Sequence, residues 1–312
     1  MNINNEYHDP KNSLVLFELG DKLDFLIHLH KSKKFPNVLM ISGKKGVGKF
    51  TLINHFLTYV YNKNDYDLKN KSINNKTNFY KQYVNDIFPN IIYLSGNNFK
   101  NVKIEDIRDL KSTILKTTIL NKERFIVLDD IELFNTNSLN ALLKIIEEPA
   151  KNNFFILINN KTKPLIQTIY SRSLEIKVLL NNTKRIKIIQ ALIQKNNLEV
   201  FIDFNSLNLT PGNFLKFNKI FEENQININE DFLKNLTILL NLYKKNKNID
   251  LINIILFLTD YHFYNLKEIK FENIEKVVEN KSFVIKNINK FISYNLNQNS
   301  LINAINDKLS NG

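Results

Sequence analysis

Val38-Leu39-Met40-Ile41-Ser42-Gly43-Lys44-Lys45-Gly46-Val47-Gly48-Lys49-Phe50-Thr51 is the stretch that decides the fold. Its first five residues form an apolar run that reads as a buried strand, and Leu52 to Tyr59 after it reads as a helix. Between them, three of the chain's seven glycines fall within six residues, Gly43, Gly46 and Gly48, with Lys49 directly after. A strand, a glycine-rich turn and a helix in that order are what a phosphate-binding loop requires. Backbone N–H groups without side chains in the way can wrap phosphate oxygens, the helix N-terminus adds its positive end, and the lysine supplies a point charge.

The pattern G-x-x-x-x-G-K-[ST] departs at one place. Phe50 stands where a hydroxyl would ligate Mg²⁺, and the first hydroxyl comes one residue later, at Thr51. A helix turns about 100° per residue, so Thr51 faces elsewhere and is a poor substitute. The reading is a phosphate site with impaired metal-dependent hydrolysis, and the sequence leaves open whether nucleotide binds. Asp129-Asp130 closes a second apolar run, Phe125 to Leu128, and follows Lys49 by 80 residues. Carboxylates at the C-terminal end of a buried strand beside such a loop form a Walker B pattern, the first holding Mg²⁺ through water and the second polarising the attacking water. Asp130 is one methylene shorter than the Glu that usually does the second task.

Working outward, apolar runs recur at Ile91 to Leu94, Phe154 to Ile158 and Leu174 to Val178, with helical patterns between them. Strands alternating with helices predict a parallel sheet buried on both faces. Leu139, Leu142, Leu143 and Ile146 share one face of a helix capped at Asn135 or Thr136 and stopped by Pro149, and Ile107, Leu110, Ile114 and Leu115 share another. Asn62 to Asn85, rich in Asn and Lys, reads as a long mobile insertion. After residue 179 only helical patterns continue, with a turn expected at Pro211-Gly212 and a linker at Glu222 to Glu230. The fold class is therefore α/β followed by all-α, with expected domains 1–178, 179–228 and 229–312.

The 312 residues are 43% hydrophobic and 24% charged, ordinary globular usage that excludes a disordered or collagen-like chain. Cys 0 excludes disulfides, a thiol nucleophile and a thiolate zinc site. His28 and His30 fall on different faces of a helix, so no metal site is expected there. The polar N-terminus and the shortness of Leu251 to Leu258 predict a soluble, cytoplasmic protein. Net charge +12 suits work near nucleic acid; abundant Lys, Asn and Ile are equally the mark of an AT-rich coding sequence.

At this point a resemblance appears. Asp129-Asp130-Ile131-Glu132-Leu133, Asn140-Ala141-Leu142-Leu143-Lys144 through Glu147-Glu148-Pro149, Phe154 to Asn160 and Ser171-Arg172-Ser173 resemble, in order, the clamp-loader subunits of bacterial DNA polymerase III, closest to the delta-prime type. His8 to Phe17, Phe35 to Met40 and Ile107-Arg108-Asp109-Leu110 support it, and the likeness runs from residue 8 to about 180. Beyond that it rests on Thr210-Pro211-Gly212 and a helical tail.

The resemblance implies an AAA+ protein with a RecA-like α/β domain, a helical lid and a helical collar that joins subunits in a ring. It implies ATP as cofactor at Gly43, Gly46, Gly48, Lys49, Thr51, Asp129 and Asp130, with Asn159, beside Asn160, sensing the outer phosphate. Arg172 takes the place of an arginine finger offered to ATP on a neighbouring subunit, Ser173 standing for the family's Cys. The implied partners are the gamma/tau motor and delta subunits, and through the complex a sliding clamp and primed DNA. Asn213 stands where active members carry a sensor Arg, no zinc module is present, and with Phe50 and Asp130 this argues for weak or absent turnover and against Mg²⁺. The expectation is a stator of the DNA polymerase III holoenzyme. Its rivals are an active gamma-type ATPase, a nucleoside or polynucleotide kinase, and a DNA-binding scaffold.

Overall fold

The computed structural model describes residues 7, 9–96, 102–116, 122–205, 208–269 and 274–310. His8, the junction 270–273 and the last two residues, which fall in segments read above, lie outside them. The described chain divides into two compact units, one of residues 1–198 with 208–215, the other of 199–207 with 216–312.

The first unit holds, in chain order, α1 (Gly20–Lys31), β1 (Val38–Ser42), α2 (Lys49–Tyr61), β2 (Tyr66–Asp67), β3 (Ser72–Ile73), α3 (Asn78–Val84), β4 (Ile91–Ser95), α4 (Ile104–Ile114), β5 (Arg124–Asp129), α5 (Thr136–Glu147), β6 (Asn153–Asn159), α6 (Gln167–Tyr170), β7 (Leu174–Lys177) and α7 (Asn182–Asn196). Five strands form one sheet in the order β4-β5-β6-β1-β7, all neighbours parallel. The apolar runs explain this arrangement, because a parallel sheet needs both faces covered. Successive side chains alternate between two cores: Leu39, Ile41, Phe125, Val127, Ile156 and Ile158 face α1 and α2, and Val38, Met40, Ile126, Leu128, Phe155 and Leu157 face α4 and α5. Each buried aliphatic side chain contributes roughly 1.5–3 kcal/mol of transfer free energy.

Two sequence expectations are corrected here. The segment 62–85 is ordered, not a mobile loop: β2 and β3 pair as an antiparallel hairpin, and Tyr66, Ile73, Phe79 and Tyr83 are buried. Its lack of periodicity misled because four anchors in very short elements leave no period to see. Leu115, expected on the buried face of α4, is the cap after it and is 69% exposed. α5 is capped by Asn135, whose Oδ1 accepts from the Ser138 amide at 2.8 Å.

α8 (Pro211–Glu223) starts in the first unit and ends in the second. Pro211-Gly212 is thus no turn but the opening of a helix, with proline in the first position, where its missing N–H costs nothing. The second unit continues with α9 (Phe232–Asn246), α10 (Ile249–Ile269), α11 (Ile274–Tyr294) and α12 (Gln298–Ser310). Leu236, Leu239, Leu240, Ile254, Ile255, Leu258, Val284, Ile288, Phe291, Leu301 and Ile305 are buried there, at helical spacings within each element. The segment expected as a lid, 179–228, is shared between the units: α7 lies in the first, and the greater part of α8 in the second.

Candidate functional site

The loop after β1 follows from its glycines. Gly43, Gly46 and Gly48 have φ of 153°, 84° and 90°, values that L side chains rarely adopt. Every carbonyl from Gly43 to Gly46 is taken by a donor of the same unit. Lys49 Nζ donates to Gly43 O and Lys44 O at 2.7 Å each, Thr210 Oγ1 to Lys45 O at 2.8 Å, and the Gly212 amide to Gly46 O at 2.8 Å. Thr210 and Gly212 flank the start of α8, and Arg185 steadies that approach by donating from Nη1 to Leu209 O at 3.2 Å. The side chain of Asn213 also borders Gly46, so the residue in the sensor position touches the loop without bringing charge.

Lys49 is 3% exposed, and loss of hydration lowers its pKa to about 8, with Asp129, Glu132 and Asp130 opposing the shift. Asp129 ends β5, accepting from Tyr93 Oη at 3.2 Å and from the Asp130 amide at 2.8 Å. Burial and the neighbouring Asp130 raise its pKa to about 6. Asp130 is buried with φ 50°, a left-handed conformation, and accepts from Asn160 Nδ2 at 2.7 Å. It is therefore Asn160 that meets the second carboxylate. Asn159 donates instead to Tyr170 Oη at 2.9 Å and accepts from the Lys161 amide at 2.8 Å.

Glu132, to which the sequence reading assigned no role, is buried and holds the same strand end. It accepts from the Asn160 amide at 3.1 Å and from Thr162 Oγ1 at 2.8 Å. The signal was a third acid three residues after Asp129, in the turn Ile131–Leu133. Tyr93 was also missed, because nothing in the sequence sets β4 beside the acid-bearing β5; the register that puts Ser95 next to Asp129 does so.

Arg172 follows α6, its side chain 35% exposed, with Nη2 on Glu147 Oε1 at 2.6 Å and Nη1 donating to Thr168 O at 3.1 Å. Ser173 Oγ donates to Ile169 O at 2.9 Å, a role that asks nothing of a Cys. Among the described residues, no group of three or more His, Cys, Asp or Glu could hold a metal ion, and no helix is long and apolar enough to cross a membrane.

The fit to a metal–nucleotide divides in two. The phosphate end fits: carbonyls are turned away and occupied, and among the described residues the amides of Gly46, Gly48 and Lys49 donate to no protein acceptor. The metal end does not fit. Phe50 carries no oxygen, and its ring stands edge-on to Tyr93 with centroids 5.3 Å apart, whereas Mg²⁺ demands near-octahedral oxygen ligands. Thr51, one residue on in α2, is half-buried.

A parallel sheet with the loop-bearing strand and the acid-bearing strand separated by one intervening strand, β6, and a helical C-terminal unit define a P-loop protein of the AAA+ class. Comparison with known proteins narrows this. The profile of the family described as "DNA polymerase III, delta subunit" matches residues 20–182, more than half of the chain, and the chain belongs to that family, as a clamp-loader subunit of the delta-prime type. It is 28% identical over 155 residues to DNA polymerase III subunit delta' of Buchnera aphidicola subsp. Baizongia pistaciae, covering 47% of this chain and 45% of the relative. To subunit delta' of Pseudomonas aeruginosa it is 33% identical over 76 residues, 24% and 23% of the two chains. To subunit gamma of Buchnera aphidicola subsp. Schizaphis graminum it is 28% identical over 152 residues, 46% and 40%. The chain thus spans less than half the length of these relatives.

Proposed function

We propose that this subunit is a stator in a clamp loader, with a degenerate ATP site of its own, and that it lends Arg172 in trans to ATP held by a neighbouring motor subunit. Its partners in this reading are the gamma/tau and delta subunits, with the sliding clamp and primed DNA reached through the complex, in the cytoplasm. Turnover by the chain alone is weak or absent. The observation that carries the reading is the Phe50 ring against Tyr93 where a metal-ligating hydroxyl is required.

The accessibility of Arg172 supports the second half of the reading. Its pair with Glu147 is partly exposed on both sides, the kind of contact worth at most about 1 kcal/mol, so little opposes its transfer to a phosphate. A guanidinium on developing phosphoryl charge supplies roughly 10³ to 10⁵ in rate where it has been measured. Likeness to gamma as well as delta' keeps an active motor as the second reading, favoured by the retained glycines and Lys49.

The test is DNA- and clamp-stimulated ATP turnover of a reconstituted loader, comparing wild type with Arg172→Ala and running the chain alone as blank. A silent blank and turnover cut at least tenfold, about 1.4 kcal/mol of barrier, are expected. Turnover in the blank would make the chain a motor, and an unaffected complex would return Arg172 to a surface ion pair.

A further inference from the structure

We infer that Glu147 is a positioning residue for Arg172, its carboxylate holding the guanidinium in one orientation before a neighbour's phosphate arrives. The inference deepens the arginine-finger reading and rests on it. The base of the arm is fixed by the core. Ile169 of α6 is fully buried in the cluster that also takes Ile145 and Ile146 of α5, so the elements carrying Arg172 and Glu147 are fastened to one core. The end of α6 is closed by the Ser171 amide on Gln167 O at 3.1 Å, the Arg172 amide on Ile169 O at 3.3 Å and Ser173 Oγ on Ile169 O at 2.9 Å. Beyond this fixed base, a long arginine side chain keeps large rotamer freedom unless its tip is held.

The tip is held by Glu147. Its Oε1 meets Nη2 at 2.6 Å, and Nη1 donates to Thr168 O at 3.1 Å and to Ser171 Oγ at 3.4 Å. A guanidinium offers five N–H donors, so Nε and a second Nη2 hydrogen are left for an oxyanion. Glu147 does nothing for its own helix. It is the last residue of α5, where unpaired carbonyls gather negative charge and a carboxylate is disfavoured. Among the described residues its carboxylate pairs with Arg172 alone. A pair so exposed adds little to stability, and orientation is what remains for it to supply. A catalytic group ordered before the reaction spares the transition state that cost.

The experiment extends the loader assay to Glu147→Ala, Glu147→Gln and the double variant Glu147→Ala with Arg172→Ala, reading kcat and the KM for ATP separately. Glu147→Ala is expected to lower kcat at least about fivefold with KM within about twofold, and to change Arg172→Ala by no more than about twofold. Glu147→Gln keeps an acceptor oxygen at the same reach and restores turnover to within about twofold of wild type. Unchanged or faster turnover in Glu147→Ala, a further fall on top of Arg172→Ala, or no rescue by glutamine overturns the inference. A second measurement needs no complex. Arg108, Arg124, Arg172 and Arg185 are all the arginines of the chain, so Arg172 Nε can be followed by NMR relaxation in the full chain carrying ¹⁵N-arginine. Its ps–ns freedom is expected to rise in Glu147→Ala, and equal freedom overturns the inference. Arg172→Ala without effect in the loader overturns the finger reading instead, so the two failures are told apart.

Discussion

At Gly46 a methyl group would lie 2.4 Å from Thr210 Oγ1 and 2.9 Å from the Asn213 amide, on a residue whose φ is 84°. The glycine is thus required by the chain's own approach as well as by any phosphate. Gly46→Ala is expected to cost at least about 2 kcal/mol in urea denaturation without any nucleotide present. Were Gly46 kept for ligand access alone, the variant would unfold like wild type. Glu132 makes the matching case among polar residues. Removing its carboxylate in Glu132→Ala leaves the buried Asn160 amide without an acceptor, while the exposed Thr162 hydroxyl can turn to water, and about 2 kcal/mol of stability should be lost by the same measurement. Asp129 and Asp130 could be named from the sequence because a buried strand ending in acids is a local pattern. Glu132 and Tyr93 could not, because their partners lie 28 or more residues away.

Among the elements, the hairpin of β2 and β3 departs most from expectation. It is fastened to the rest of the unit by backbone bonds, Leu16 N to Lys71 O at 3.0 Å and Ile73 N to Leu14 O at 2.9 Å. It is also held by His55 of α2, whose Nδ1 meets Tyr66 Oη at 2.9 Å and whose Nε2 meets Ser13 O at 3.0 Å. Burial pushes the His55 pKa down from 6.5 to about 4, against the pull of the Ser13 carbonyl. A lowered folded-state value means that the contribution is whole above pH 6.5 and is lost as pH falls through 4. Its size is about 3 kcal/mol from the difference between the two values. The expected result is a fall in unfolding free energy between pH 6.5 and 4 that is flatter in His55→Gln. An imidazole that titrates near its ordinary value by NMR would contradict it.

For the whole molecule, the division into units cuts across the order of the sequence. Residues 199–207 belong with the second unit, where Asn218 bonds to the Phe201 amide and to Glu199 O at 2.8 and 2.7 Å. Residues 208–215 return to the first unit and to the phosphate loop. No single cut therefore separates the units cleanly. A fragment ending at 198 would leave the carbonyls of Lys45 and Gly46 without their donors, and is expected to melt about 5 °C below one ending at 215 by circular dichroism. Equal melting temperatures would mean that the start of α8 adds nothing to the loop.

The sequence by itself determined the parallel α/β sheet, the helical C-terminal part, the phosphate loop with its aromatic substitution and the family. These are read from periodicity and from motifs a few residues long, where chemistry and spacing travel together. Only the tertiary structure decided that 62–85 is an ordered hairpin and helix, that Asn160 and not Asn159 meets Asp130, and that α8 opens at Pro211 with Thr210 and Gly212 on the loop's carbonyls. The reason is physical: each depends on a hydrogen bond or an anchor between segments far apart in the chain. A side chain's local propensity carries no record of the partner that folding brings to it.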